Sequence, residues 1–262
     1  MTTIIADYEA ERQAVLDLFQ PSCDCRIVLL CGASGSGKTT LLTHCRERVP
    51  SSIFHLPVQL RGSTTTAAEV FYRAGRHLTW DRLPHFTGHV AGMLGGASIK
   101  VDRNFVAGIG NHINVALYAE QPLEREHRRV ALTEAWFDDL VALPQPFLVF
   151  FDTYEQATAE MKEWLCGPFL ARAAQVSALR VVIAGQEVPE ARNIEWGHCC
   201  QEHYLHGVQE ASAWLPVVQQ LGRYIHAPDP VSYLMGICDA CKGDPGKIIK
   251  WIEALPHRKS LP

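Results

Sequence analysis

Residues 26–48 read RIVLLCGASGSGKTTLLTHCRER, and the order of residue types there sets the fold class. The first six residues, Arg26 to Cys31, are a short and nearly continuous apolar run, the pattern of a strand covered on both faces in a parallel sheet. GASGSGKTT follows, placing Gly32, Gly37, Lys38 and Thr39 in the spacing GxxxxGK[ST]. A helix is expected from Lys38 to about Arg48. Glycines in such a turn let the backbone approach a ligand with its N–H groups, and the helix N-terminus behind them adds partial positive charge, so the segment is built to hold phosphate. Gly32, Ala33, Ser34, Gly35, Ser36, Gly37 and Thr40 form the cradle. Lys38 is placed to reach the β and γ phosphates of a nucleoside triphosphate, and Thr39 offers its hydroxyl to Mg²⁺.

The flanking sequence continues the same theme. Ser52 to Leu60 reads as a second strand and Thr66 to Leu78 as a second helix; Phe147 to Phe151 and Arg180 to Ala184 are further buried strands, separated by a helix near Ala159 to Gln175. This alternation predicts an α/β fold, a P-loop NTPase with a parallel sheet flanked by helices. A helix over Asp7 to Phe19 precedes the first strand. Between Pro84 and Glu120 the pattern breaks, and IKVDRNFVAGIGNHINVAL alternates apolar and polar residues around a Gly-Ile-Gly-Asn turn, which predicts a β-hairpin between Lys100 and Leu117 inserted before a helix at Leu123 to Leu143. After Leu205 come short helical patterns broken by Pro216, Pro228, Pro230 and Pro245, with no further strand expected. The division is a nucleotide-binding domain over residues 1–205 and a small C-terminal helical subdomain, a lid, over 206–262.

A phosphate-binding loop needs an acid at the end of a neighbouring buried strand to hold the metal's coordination shell. FLVFFD supplies Asp152. Three residues on, Glu155 is the candidate base to polarise an attacking water, a position that also suits a plain N-terminal helix charge. Gln186 follows the strand RVVIAG at its tip, where its amide is placed to sense a γ phosphate or to face solvent as a turn residue.

Composition narrows the partners. The 262 residues carry a formal net charge of -4 and are 47% hydrophobic, so nothing global marks a polyanion binder. Arg125, His127, Arg128 and Arg129 make a basic run, but Glu124 and Glu126 alternate with it, as on a solvated helix face; nucleic acid is not the expected partner. No run approaches the ~18 apolar residues of a membrane span, and the polar start MTTIIADYEAER lacks the regions of a secretory signal, so a cytoplasmic location is expected. The nine cysteines then read as reduced thiols. Cys238 and Cys241, and the run His198, Cys199, Cys200, His203 and His206, invite a zinc reading; helix packing for the first pair and a His-rich loop for the second account for them more simply.

The order of P-loop, acid-ended strand, AGQ strand tip and CKGDPGKI in a terminal helical region resembles the STAND class of AAA+-related ATPases, the signal-transduction switches that include NB-ARC modules. The resemblance implies ATP and ADP as ligands, a lid closed by a Gly-x-Pro motif that touches the nucleotide (here Gly243, Asp244 and Pro245), a protein partner or effector, and nucleotide-dependent oligomers. Adenine is the implied base, and no NKxD-type guanine motif opposes it. The chain departs from the pattern in carrying Gln186 where many relatives have Arg, and Ala6, Asp7 and Tyr8 where they have a Gly-Arg pair, which leaves the adenine contacts unassigned. Two other readings remain: a phosphotransferase acting on a small molecule, for which Arg223, Lys242, Lys247 and Lys250 would be the basic lid, and a DNA-associated ATPase using the basic run at Arg125 to Arg129.

Overall fold

The computed structural model describes residues 3–257 apart from 21, 63, 96–102, 145 and 178. In chain order the elements are α1 (Glu9–Asp17), β1 (Ile27–Gly32), α2 (Lys38–Arg46), β2 (Phe54–Gln59), α3 (Ala67–Leu78), α4 (Pro84–Gly95), α5 (Arg103–Ala107), α6 (Ile109–Leu117), α7 (Pro122–Val141), β3 (Phe147–Asp152), α8 (Ala159–Trp164), α9 (Leu170–Gln175), β4 (Leu179–Gly185), β5 (Cys200–Leu205), α10 (Leu215–Gln220), α11 (Pro230–Cys241) and α12 (Pro245–Glu253).

All five strands run parallel in the order β2-β3-β4-β1-β5. The apolar runs RIVLLC and FLVFFD are central or next to central, which is why they show no polar alternation. Their side chains divide between two layers. Ile27, Leu29, Val149, Phe151, Val181 and Ile183 face a core with Phe71, Trp136, Trp164 and Phe169. Val28, Leu30, Leu148, Phe150 and Val182 face the other side, where they join α1, α2 and Leu234, Cys238, Ile248 and Ile252 of α11 and α12. Register completes the arrangement: Cys31 lies beside Gly185 and Asp152 beside Ala184. The ends of β1, β3 and β4 therefore stand side by side at the carboxyl edge of the sheet, where ligands of open α/β sheets bind.

The region expected to hold a hairpin is helical instead. Residues 103–117 form α5 and α6, while 100–102 of the expected hairpin lie outside the described residues. Ile109, Ile113 and Ala116 are buried at spacings of four and three, a helical stripe that the polar residues between them disguised as alternation. Gly110 lies on α6 where a methyl group would come 3.2 Å from the Tyr72 ring; it allows close helix packing and makes no turn.

Two further expectations change. Cys200–Leu205 is a strand, β5, not a loop: as an edge strand it is only half covered, so its sequence CQEHYL lacks a buried run. The helix expected over Ala159 to Gln175 is interrupted by a wide turn at Leu165–Phe169, where Gly167 leaves helical geometry and Pro168 has no N–H to give.

The basic run is spent internally. Arg125 donates to the Ala119 carbonyl (2.9 Å), Arg128 to the Tyr118 carbonyl (2.8 Å) and Glu124 (2.5 Å), and Arg129 to Glu126 and the Glu160 carbonyl. Cys238 and Cys241 are buried with Leu234 on the inner side of α11, and the nine cysteines are free thiols. Among the described residues no helix is long and apolar enough to cross a membrane.

Candidate functional site

The loop after β1 takes its shape from glycine. Gly35 and Gly37 sit at φ 84° and 93°, a left-handed conformation that a side chain resists. At Gly32 a methyl group would fall 2.7 Å from both the Leu205 carbonyl oxygen and Ser36 Oγ. Lys38 begins α2 and turns back over the loop, its Nζ donating to the carbonyl oxygens of Gly32 (2.6 Å) and Ala33 (2.8 Å). Burial lowers the pKa of its ammonium group, and the charges of Glu155 and Asp152 act in the opposite direction.

Thr39 Oγ1 donates to Asp152 Oδ2 at 2.8 Å, so the registers of β1 and β3 with the β4 strand between them bring the expected metal-site pair into contact. A hydroxyl and a carboxylate oxygen are the hard donors that suit Mg²⁺, which takes one or two protein oxygens and completes its shell with phosphate and water. Asp152→Asn is expected to lower Mg²⁺-dependent nucleotide affinity by about 10- to 100-fold while leaving binding in EDTA nearly unchanged. Paired titrations with and without the metal check this, and equal losses in both would remove Asp152 from the metal.

Glu155 stands on a single turn of 3₁₀ helix, Tyr154–Gln156, entered through Thr153 at φ 66°. Its Oε2 accepts from the Gln186 backbone N–H (2.8 Å) and its Oε1 from the Gln186 side-chain amide (3.1 Å). Gly185 makes room for this approach, because a methyl group there would lie 2.9 Å from Glu155 Oε2. Partial burial pushes the Glu155 carboxyl up, but the Gln186 hydrogen bonds, with the charge of Lys38, outweigh it and hold the group below the usual carboxylate range. Gln186 is thus a partner of Glu155 as well as a residue of the site wall.

The C-terminal helices reach the loop directly. Asp244 caps α12 by accepting from the Lys247 N–H at 3.1 Å, and Pro245 occupies the first helical turn, where its missing N–H costs nothing. A methyl group on Gly37 would lie 3.6 Å from both Pro245 Cγ and Tyr8 Cε2. Tyr8 ties three segments together: its hydroxyl donates to the Ser36 carbonyl (2.6 Å) and accepts from the Gly207 N–H (3.1 Å). Burial raises its pKa to about 12, against the lowering effect of the Gly207 bond. Val208 N–H donates to the Gly243 carbonyl at 2.8 Å, tying the segment after β5 to the turn between α11 and α12.

These parts enclose a cavity of about 440 Å³. Ser34, Gly35, Gly37, Lys38, Thr39, Thr40, Asp152, Glu155, Gln186 and Pro245 all line it. Gly32, Ala33 and Ser36 stand behind the lining, where their carbonyls hold Lys38 and Tyr8. The lining also includes the apolar residues Ile4, Ile5, Ala6, Trp214, Val217 and Ile249, which no sequence motif marks. The N-terminal strip is clipped to α2: Thr3 donates through its N–H (2.6 Å) and hydroxyl (2.7 Å) to the Glu47 carboxylate, and the Thr3 carbonyl lies 2.7 Å from His44 Nδ1. A cavity whose lining combines a phosphate-binding loop and carboxylates with apolar side chains, Trp214 among them, suits a phosphate chain joined to a flat heterocycle.

A search among curated proteins finds no match. A family profile describing the AAA ATPase domain matches residues 9–187. The matched span runs from α1 through the glycine loop and the acid-ended strand to just past Gln186, and stops before β5 and the C-terminal helices. With more than half of its length matched, the chain belongs to the AAA ATPase domain family.

Proposed function

We propose that this chain is a regulatory switch of the STAND type, which binds ATP with Mg²⁺, hydrolyses it, and uses the nucleotide to set the position of the lid over residues 206–262 for a protein partner to read. One observation carries the proposal: Pro245 and Gly246 of the lid line the same cavity as Lys38, Thr39, Asp152 and Glu155. A ligand in that cavity touches both parts, and whatever it touches only while the lid is shut gives it a higher affinity for the closed form.

In this reading the loop N–H groups and Lys38 bind the phosphates, and Thr39 and Asp152 would hold a Mg²⁺ ion, which would neutralise phosphate charge. Glu155 takes a proton from the attacking water. Gln186 keeps the Glu155 carboxylate oriented and ionised, and its amide is also placed to donate to a γ phosphate. The apolar lining with Trp214 receives adenine. The phosphotransferase alternative gains no support from Arg223, Lys242, Lys247 and Lys250, none of which lines the cavity; Arg223 donates to the Leu255 carbonyl (2.9 Å) and Lys247 lies 3.1 Å from Asp244.

Limited proteolysis tests the coupling. ADP is expected to slow cleavage in the connection from Leu205 to Ser212, and Pro245→Ala should remove part of that protection while leaving Lys38-dependent binding in place. If Pro245 served only as the first residue of α12, the variant would lose stability and keep the full effect of ADP on cleavage, which would overturn the lid assignment.

A further inference from the structure

An acid of the C-terminal helices stands against the phosphate loop. A methyl group placed on Gly35 would fall 2.7 Å from Asp244 Oδ2 and 2.8 Å from Oδ1, so the Asp244 carboxylate lies against the backbone of the loop. Partial burial raises the pKa of this carboxyl, but the hydrogen bonds and charge of Lys247 outweigh it and keep the group below the usual carboxylate range. It is therefore ionised at neutral pH.

Few positive charges oppose it. Lys247 Nζ is 3.1 Å from Asp244 Oδ2, but its side chain is 67% exposed, so solvent screens much of its effect. Lys38 is held by the carbonyls of Gly32 and Ala33. Asp152 and Glu155 line the cavity, and Asp244 stands beside Gly35, itself a lining residue, so three carboxylates stand around the loop against two ammonium groups.

From this arrangement we infer that Asp244 sets the discrimination between nucleoside diphosphate and nucleoside triphosphate, disfavouring the triphosphate through its charge. The inference rests on the proposed nucleotide reading of the cavity. A triphosphate brings about one more negative charge to the loop than a diphosphate, and a fixed carboxylate on Gly35 repels the more highly charged ligand more strongly.

Asp244→Asn isolates the charge. Asparagine caps a helix about as well as aspartate, so α12 keeps its start. Calorimetric titrations of ADP and of a non-hydrolysable ATP analogue into the wild-type chain and the variant give the ratio of their affinities. The ratio is expected to move toward the triphosphate by about fivefold, the effect of one partly screened unit charge acting across several ångströms. Asp244→Ser, another good cap without charge, should move it in the same direction, and melting temperatures near that of the wild type would show that the lid is retained. If both variants bind the two nucleotides with an unchanged ratio, the inference fails while the nucleotide reading stands. If the wild-type chain binds neither nucleotide, the reading of the cavity fails and the inference with it.

Discussion

Lys38→Ala is expected to lower nucleotide affinity by at least about a hundredfold, through two losses that act together. The first is the ammonium group that the motif places on the β and γ phosphates, a charge-assisted interaction in a partly dry cavity. The second is structural. Lys38 Nζ satisfies the Gly32 and Ala33 carbonyls at 2.6 and 2.8 Å, and truncation leaves both oxygens without that donor in a loop whose φ angles at Gly35 and Gly37 are already special. An unpaired buried acceptor costs more than the net worth of a single hydrogen bond. The variant should therefore show a slightly lowered melting temperature and no stabilisation by ATP. Near-normal ATP affinity by calorimetry would remove the phosphate-loop assignment.

Glu155→Gln should behave differently, keeping MgATP binding and losing turnover by about 10²- to 10⁴-fold, the range that a positioned general base supplies. The change preserves size, and a glutamine oxygen still accepts from the Gln186 N–H that now holds Glu155 Oε2 at 2.8 Å. What disappears is the proton acceptor. Because the carboxyl of Glu155 is held below the usual range, the wild-type base stays ionised through neutral pH, and its turnover should fall only as pH drops through that lowered value. Steady-state phosphate release, compared with an independent binding measurement, separates the two effects. An unchanged rate in the variant would return Glu155 to the role of a turn residue beside Gln186.

Much of this site was legible because its signals are local. GASGSGKTT is one continuous segment, and the strands on which it and Asp152 depend are buried on both faces, so RIVLLC and FLVFFD stand out as apolar runs. Gln186 could be named for the same reason, as the residue following a buried strand. That it binds Glu155 could not be read, since that hydrogen bond depends on β3 and β4 being neighbours and on Gly185 having no side chain. The apolar lining was invisible for a related cause. Ile4, Ile5 and Ala6 come from one end of the chain and Trp214, Val217 and Ile249 from the other, and only the fold brings them together. Tyr8 likewise gave no sign that its hydroxyl would join Ser36 to Gly207.

The misread regions have physical reasons too. In α6 the glycines at 108 and 110 suggested a turn, whereas Gly110 serves packing against Tyr72 and the stripe Ile109, Ile113, Ala116 sets the helix. Strand β5 pairs on one side only, so residues such as Gln201 and Glu202 remain exposed and no apolar run forms. The position of the Asp244 carboxylate on Gly35 lies beyond any local pattern, because it depends on how the lid packs against the loop.

We assign the cavity between the glycine loop and the lid to one adenine nucleotide, and everything proposed for Glu155, Pro245 and Asp244 depends on that assignment. The decisive measurement is calorimetric titration of MgATP into the purified chain, with ADP and GTP as competitors in parallel cells. Saturable binding of one nucleotide per chain is expected, competed by ADP and only weakly by GTP, and abolished by Lys38→Ala. Absence of saturable binding, or competition by GTP as strong as that by ADP, would overturn the assignment.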